Sequence, residues 1–134
     1  VAVTLEVAAL DSGALAALEA AANAEIQKNR AVRVRDLSHE EAVAAAGEKE
    51  FRGTLPEEGK HERVRLVEIE GLDMNACGGT HVRSLAELQL LALLRVEKDR
   101  GRVCVHLLAG ERALRRLRAC LAREAALGTA LSCT

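Results

Sequence analysis

Aromatic residues are nearly missing from this chain of 134 residues, which contains one Phe, no Tyr and no Trp. Hydrophobic residues still make up 49% of the sequence, so a core has to be built mainly from Ala, Leu and Val. Exposed rings are also the platforms on which many proteins stack single-stranded bases. That mode of nucleic-acid binding is therefore excluded, and any contact with RNA would depend on charge, backbone amides and shape.

Long apolar runs and an excess of charge of one sign are missing as well. No run approaches the ~20 residues needed to span a bilayer, and nothing resembles a secretory signal peptide, so no membrane partner is predicted. The formal net charge is -1, which indicates no general affinity for nucleic acid. The arginines are nevertheless clustered, and a solvated helix face or an exposed strand edge is the alternative to phosphate contact. The clusters are Arg30, Arg33 and Arg35, then Arg112, Arg115, Arg116, Arg118 and Arg123.

The cysteines are too widely and irregularly spaced to suggest a disulfide framework. They are Cys77, Cys104, Cys120 and Cys133. We therefore expect reduced thiols and a cytoplasmic protein. Cys104 falls in an apolar strand-like run and Cys120 in a helix-like run, which predicts packing roles for both.

The first third of the chain predicts a strand, a helix, a second strand and a second helix. Residues 1–7 and 32–37 alternate apolar and polar side chains, as half-buried strands do. Ser38 with Glu41 forms a capping box at the start of the second helix, and we expect that helix to stop at Gly47.

The middle of the chain is less regular. From Glu48 to Glu62 no periodicity remains, which predicts a loop or flap. Residues 63–70 form the clearest strand, and the glycine-rich segment Gly71–Val82 is expected to be irregular. Ser84 with Glu87 forms another possible capping box.

The last third predicts a hairpin and a long helix. The turn Asp99–Gly101 favours strand structure for the end of the preceding run, Leu88–Val96, and for residues 102–108. A helix follows from Gly110 to Gly128, with an apolar stripe made of Leu114, Leu117, Leu121 and Ala125. The predicted fold is α+β: a single domain over 1–134, with helices packed on a mostly antiparallel sheet in a two-layer sandwich.

The segment that carries chemistry is Cys77-Gly78-Gly79-Thr80-His81. A thiolate and an imidazole four positions apart on a glycine-rich loop can bind one zinc ion between them. The glycines allow the backbone to fold closely around an ion, and Thr80 offers a hydroxyl group to a ligand or a substrate. The spacing alone also fits a buried Cys beside a surface His, and two ligands do not complete a tetrahedral site.

Neither the other ligands nor the group that would activate water can be identified from spacing. The remaining histidines are His39, His61 and His106. None shows ligand-pair spacing, and His39, near a helix start, is expected to face solvent. Glu70 and Asp73 are the carboxylates nearest the motif, with strand-flanking and turn-forming roles as the alternative to catalysis.

The residue types in and around the motif indicate a protein family more specifically than the Cys–His spacing does. The strand 64–70, then Gly71, Asp73 and the segment C-G-G-T-H-V at 77–82, closely resemble the editing domain of alanyl-tRNA synthetase and its free-standing AlaX-type relatives. This is the second additional domain of threonyl- and alanyl-tRNA synthetases. The threonyl branch typically has proline where this chain has Thr80, so the alanyl branch is favoured. The order of elements also matches the family, so the resemblance covers essentially the whole chain.

The resemblance implies hydrolysis of the ester that joins serine or glycine to the terminal ribose of alanine-specific tRNA. Cys77 and His81 would bind zinc, while Gly78, Gly79 and Thr80 would shape the substrate pocket. The phosphates of the tRNA acceptor end would be contacted by arginines. Those expected to do so are Arg83, Arg112, Arg115 and Arg116.

The chain departs from the family in one respect. The family places two further zinc ligands in an H-x3-H motif on an upstream helix, and this sequence has no such motif. We therefore expect either a truncated N-terminus, with a larger parent chain supplying the remaining ligands, or a diverged member; the mid-strand start favours truncation. Two other functions stay open: a tRNA-binding module without catalysis, and a zinc-stabilised interaction domain.

Overall fold

The computed structural model describes residues 1–7, 9–48, 51, 54–59 and 62–131. Within them lie the strands β1 Ala2–Leu5, β2 Val32–Leu37, β3 Val64–Ile69, β4 Asp73–Ala76, β5 Leu91–Asp99 and β6 Arg102–Ala109. The helices are α1 Ser12–Gln27, α2 His39–Glu48 and α3 Glu111–Ala130, with a 3₁₀ turn at Leu85–Leu88. His61, Cys133 and part of the predicted 48–62 loop lie outside the described residues.

The chain divides into two units. The first comprises the described residues of Val1–Gln27 and Leu88–Thr134, and the second comprises those of Lys28–Glu87. Each unit contains one three-stranded antiparallel sheet, in the order β1-β6-β5 in the first and β2-β3-β4 in the second. The predicted α+β class is confirmed, but the described strands form two small sheets where one was predicted. That the whole chain is one domain stays a prediction.

Helix α1 protects the edge of the sheet in the first unit. The Asn23 side chain donates to the Leu91 carbonyl at 2.8 Å and accepts from the Leu91 N–H at 2.9 Å. Glu19 accepts the Leu93 N–H in the same way. These side chains bind backbone groups of an edge strand that would otherwise be open to another chain.

The second unit is organised around an aliphatic core. Ala42 of α2, Val64 and Leu66 of β3 and Met74 of β4 are all 2% exposed or less. Phe51, the single aromatic residue, packs against this cluster. Because side chains alternate across a strand, Arg65 lies on the sheet face opposite to Val64 and Leu66.

Two helices run through the glycines at which they were predicted to stop. α2 continues past Gly47 to Glu48, and α3 continues past Gly128 to Ala130. A glycine ends a helix when it adopts a left-handed φ, and neither of these two does so. Inside a helix, glycine costs only about 1 kcal/mol relative to alanine, which packing and neighbouring residues can offset.

The segment predicted to be irregular contains strand β4. Gly71, with φ 64°, turns the chain so that Asp73 pairs with Ile69 of β3. Four residues are too few for alternation to be recognised in the sequence, and two of them are polar. The capping box proposed at Ser84 is instead followed by the 3₁₀ turn.

The predicted hairpin is confirmed, whereas most of the apolar stripe of α3 is exposed. Arg100 and Gly101 both have positive φ, 49° and 81°, as a tight two-residue turn between β5 and β6 requires. Along α3 only Ala113 is buried, and Leu117 and Leu121 are 55% and 54% exposed. No helix in the described part of the chain, α3 included, is long and apolar enough to cross a membrane.

The start of α2 makes the predicted capping box. The Ser38 N–H donates to the Glu41 carboxylate at 2.7 Å, and the Glu41 N–H donates to Ser38 Oγ at 3.2 Å. These hydrogen bonds, first the backbone one and then the hydroxyl one, lower the pKa of Glu41. Glu41 therefore stabilises the fold above its unfolded pKa of ~4.3, and this contribution disappears as the pH falls through the lower folded value.

We expect Ser38→Ala to lower the free energy of unfolding at pH 7 by about 1 kcal/mol, because the helix loses its N-cap. Glu41→Gln should destabilise the protein at pH 7 and approach the wild type as the pH drops below ~4. Urea unfolding at several pH values measures both, with Glu40→Gln as the matched control. An equal pH dependence in the two glutamate variants would contradict a special role for Glu41.

Candidate functional site

The C-G-G-T-H loop is attached to strands at both of its ends. On entry, the Cys77 N–H donates to the Arg65 carbonyl of β3 at 3.0 Å. After the loop, the Val32 N–H of β2 donates to the Arg83 carbonyl at 2.9 Å. The loop therefore leaves the free end of β4 and returns to the edge of β2, which limits the conformations it can adopt.

The Arg65 side chain holds the interior of the loop. Its Nη1 donates to the Cys77 carbonyl at 2.8 Å and to the Gly79 carbonyl at 2.5 Å. Hydrogen bonds from an ionised donor are stronger than neutral ones. Sequence reasoning missed this role, because an arginine between two apolar strand residues looks like an ordinary solvent-facing residue.

The two predicted metal ligands converge on one side of this loop. A Cβ placed on Gly79 would lie 3.5 Å from Cys77 Sγ and 3.8 Å from His81 Nε2. The Gly79 N–H also donates to Cys77 Sγ at 3.4 Å. Cys77 is half-buried, whereas Gly78, Thr80 and His81 are exposed. A soft sulfur and an imidazole nitrogen facing the same small space are donors that zinc prefers.

These two residues do not form a complete ligand set. Among the described residues, no group of three or more His, Cys, Asp or Glu side chains is placed to hold a metal ion. His39 is half-buried with Nε2 3.0 Å from the Pro56 carbonyl, so the expectation that it faces solvent is wrong. The donor chemistry therefore fits zinc, with two further ligands required from elsewhere.

His106 lies in the first unit, as do Cys104 and Cys120, the free thiols of the described residues other than Cys77. His106 Nε2 is 2.9 Å from a Glu97 oxygen and 4.0 Å from Sγ of the half-buried Cys104. The hydrogen bond from His106 is the main cause of a lowered pKa at Glu97. Cys120 is exposed beside Arg123, so the predicted packing role is wrong for this residue.

Glu70 and Asp73 have structural partners. Glu70 is ion-paired with Arg33 at 2.8 Å, and Asp73 accepts a hydrogen bond from Asn75 at 2.8 Å. Asp73 begins β4 whereas Cys77 follows its end, so the two are about 13 Å apart along the strand. These contacts match the strand-flanking and turn-forming alternatives.

The arginines predicted to contact tRNA are all exposed. Arg83 is 95% exposed and lies 3.5 Å from Glu87. Arg115 lies 3.8 Å from Glu111, and Arg112 and Arg116 occupy the same helix, α3, in the first unit. Their contact with tRNA stays a prediction.

A groove of about 330 Å³ adjoins the loop in the second unit. Thr54 and Pro56 line one part of it, and Arg63, Arg65, Cys77 and Gly78 line another. The bond between His39 and the Pro56 carbonyl ties the 54–59 segment to the start of α2. The described part of the predicted flap is therefore one wall of a groove beside Cys77.

The match to a known domain covers this part of the molecule. Residues 64–104 match the family described as "Threonyl and Alanyl tRNA synthetase second additional domain". That range runs from the first residue of β3 through Cys77 and His81 to the middle of β6. It includes the loop, its two metal-ligand candidates and Arg65.

Proteins similar to this chain include alanyl-tRNA editing proteins and an alanine–tRNA ligase. The chain is 33% identical over 120 residues to the alanyl-tRNA editing protein Aarsd1 of Rattus norvegicus, covering 89% of this chain and 28% of that protein. It is 34% identical over 114 residues to the Danio rerio protein of the same name, with 84% and 27% covered. The alanine–tRNA ligase of Thermoplasma acidophilum is 35% identical over 72 residues, covering 54% of this chain and 8% of the ligase.

These matches confirm the resemblance: the chain carries the second additional domain of threonyl and alanyl tRNA synthetases and is related to the alanyl-tRNA editing proteins. It spans a little over a quarter of the length of those editing proteins, 28% and 27% in the two cases above.

We expect Arg65→Gln to lower the free energy of unfolding by about 2 kcal/mol, because two hydrogen bonds from a charged donor are lost. Amide hydrogen exchange at Gly79 should become faster. Arg33→Gln is the control, since it removes only an exposed ion pair worth about 1 kcal/mol or less. Equal effects of the two variants on unfolding and on Gly79 exchange would show that Arg65 does not hold the loop.

Proposed function

We propose that this chain supplies the zinc-binding loop of an aminoacyl-tRNA editing hydrolase. The substrate is alanine-specific tRNA carrying serine or glycine, and the reaction is hydrolysis of the ester at the terminal ribose. The observation that carries the proposal is the convergence of Cys77 Sγ and His81 Nε2 beside Gly79, inside the segment matched by the editing-domain family. We further propose the cytoplasm as its location, where a thiolate ligand stays reduced.

The loop residues and Arg65 of β3 would have different roles. Cys77 and His81 would bind the ion, and Arg65 would keep the backbone between them in place through its bonds to Cys77 and Gly79. Zinc, when bound, supplies Lewis-acid polarisation of an ester carbonyl or of water. A larger parent chain would provide the two remaining ligands.

Selectivity for serine over alanine has a physical basis in this proposal. A site that hydrogen-bonds the serine hydroxyl leaves its own polar groups unpaired when alanine enters, and such a site rejects the smaller side chain strongly. The exposed Thr80, between Gly79 and His81, offers a hydroxyl group at the rim of the loop. We propose Thr80, with Gly78 and Gly79, as the part of the loop that faces the substrate.

A tRNA-binding module without catalysis is the second candidate. It is favoured by the finding that the described residues contain no third metal ligand near Cys77 and His81. Both candidates predict tRNA binding, but only the first predicts metal-dependent ester hydrolysis. The two experiments below separate them.

Gly79→Ala tests the metal site without disturbing the fold. The added methyl group would occupy the space between the two donor atoms, while its contacts of 3.5 and 3.8 Å are ordinary van der Waals distances. We expect Co²⁺ affinity, followed by the thiolate-to-metal absorption band, to fall about tenfold or more. Gly78→Ala is the matched control, because a Cβ there meets nothing within 4 Å. Unchanged Co²⁺ affinity in Gly79→Ala, with an unchanged melting temperature, would exclude this space as the metal site.

Cys77→Ala, made in the larger parent chain that would supply the remaining ligands, tests the reaction. We expect the rate of hydrolysis of serine-charged tRNA to fall about a hundredfold or more, since several kcal/mol of transition-state stabilisation would be lost with the metal. Cys120→Ala, at an exposed thiol in the other unit, should leave the rate unchanged. Deacylation of serine-, glycine- and alanine-charged tRNA is measured together with zinc per chain. Binding of tRNA without hydrolysis by the wild-type parent chain would favour the second candidate.

A further inference from the structure

Three described arginines of the second unit lie near carboxylates. Arg33 and Arg35 lie 2.8 and 3.9 Å from the carboxylates of Glu70 and Glu68. Arg83 lies 3.5 Å from Glu87. In each of these pairs a negative charge partly cancels the positive one.

Arg63 and Arg65 are held by backbone carbonyls instead. Arg63 donates to the Asp36 carbonyl, and Arg65 donates to the carbonyls of Cys77 and Gly79. Within the described residues, neither guanidinium lies within ion-pair distance of a carboxylate. A carbonyl acceptor fixes the position of a guanidinium group but leaves its net charge uncancelled.

Two described carboxylates near these arginines, those of Asp36 and Glu41, do not form ion pairs with them. Asp36 is the cross-strand neighbour of Arg65, and its exposed carboxylate lies beyond ion-pair distance of either guanidinium. Glu41 is within electrostatic reach of Arg63, which contributes to the lowered pKa of Glu41, but its carboxylate accepts the Ser38 N–H at 2.7 Å. Among the described residues, the positive charge of the pair is therefore available to an incoming anion.

Both arginines line the groove beside Cys77. Its volume of about 330 Å³ corresponds to roughly ten water molecules, which leaves room for a phosphate group and part of a nucleoside. Thr54 adds a hydroxyl donor to the lining, and Gly78 presents backbone without a side chain. The planar fork of arginine matches the oxygen atoms of a phosphate, and two forks in one groove can bind the same group from two sides.

We propose that the groove between Arg63 and Arg65 binds a phosphate group. This inference rests on the proposed function, under which the phosphate belongs to a phosphodiester close to the 3′ end of the tRNA. Arg65 then has two roles, since it binds the phosphate and also holds the loop that bears Cys77 and His81. The bound strand end is thereby positioned next to the loop.

The probes for the test are inorganic phosphate, a short single-stranded RNA with the 3′-terminal sequence of tRNA, and adenosine, which has no phosphate. Affinities are measured by calorimetry for the wild type, Arg63→Gln and Arg95→Gln. Arg63→Gln is the primary variant because its carbonyl partner, Asp36, lies outside the loop. Arg95→Gln is the matched control, an exposed strand arginine that is ion-paired with Glu97 at 3.0 Å.

We expect Arg63→Gln to bind both phosphate and RNA roughly tenfold more weakly, whereas its weak adenosine binding and the behaviour of Arg95→Gln stay as in the wild type. The salt dependence of RNA binding should also become shallower, by about 0.7 in log affinity per log salt for one lost phosphate contact. Wild-type affinity of Arg63→Gln for phosphate and RNA would overturn the inference. Loss of phosphate binding with unchanged RNA binding would overturn the assignment of the phosphate to tRNA.

The inference and the proposed function can fail separately. If the wild-type parent chain hydrolyses no serine-charged tRNA but Arg63→Gln still weakens phosphate and RNA binding, the editing reaction is wrong and the groove assignment stands. If hydrolysis requires Cys77 but Arg63 affects neither ligand, the groove assignment is wrong and the editing reaction stands.

Discussion

The hydrogen bonds from Arg65 to the carbonyls of Cys77 and Gly79 are the contacts on which the candidate site depends. They join a buried strand to a loop made largely of glycine and other exposed residues, which has no core of its own. Residues on either side of Arg65, Val64 and Leu66, are packed in the core, so the base of the arginine side chain is fixed. The rigidity of the core is thereby transmitted to the two metal-ligand candidates.

The arginines of the second unit differ in whether a carboxylate or a backbone carbonyl holds the side chain. On the strands, Arg33 forms an ion pair with Glu70 and Arg35 with Glu68, so these charges contribute to the stability of the sheet. At the groove, Arg63 and Arg65 are positioned by neutral carbonyls and keep their charge. A net charge of -1 for the whole chain conceals this difference, because it sums over arginines with and without a carboxylate partner.

Local signals were predicted well because their causes are local. The Ser38–Glu41 capping box involves residues three positions apart, and the two-residue turn at Arg100–Gly101 depends on backbone angles that glycine favours. Strand β4 was missed because pairing with β3, rather than its own four residues, makes it a strand. The predicted helix stops at Gly47 and Gly128 are wrong, because the presence of a glycine in the sequence does not show whether its φ is positive. The exposed stripe of α3 shows that helical periodicity indicates an apolar face but not what covers it.

The sequence by itself determined the α+β class and the editing-domain family, and it predicts Cys77 and His81 as metal ligands, because each of these signals lies in residues that are close together in the chain. Only the tertiary structure decided that these two side chains face one space beside Gly79, and that Arg65 holds the loop in which they lie. The tertiary structure also shows which arginines lie beside carboxylates, and which are held by carbonyls at the groove and keep their charge. The reason is that a distance between atoms 14 or 37 positions apart in the chain depends on strand pairing and packing, which no local pattern encodes.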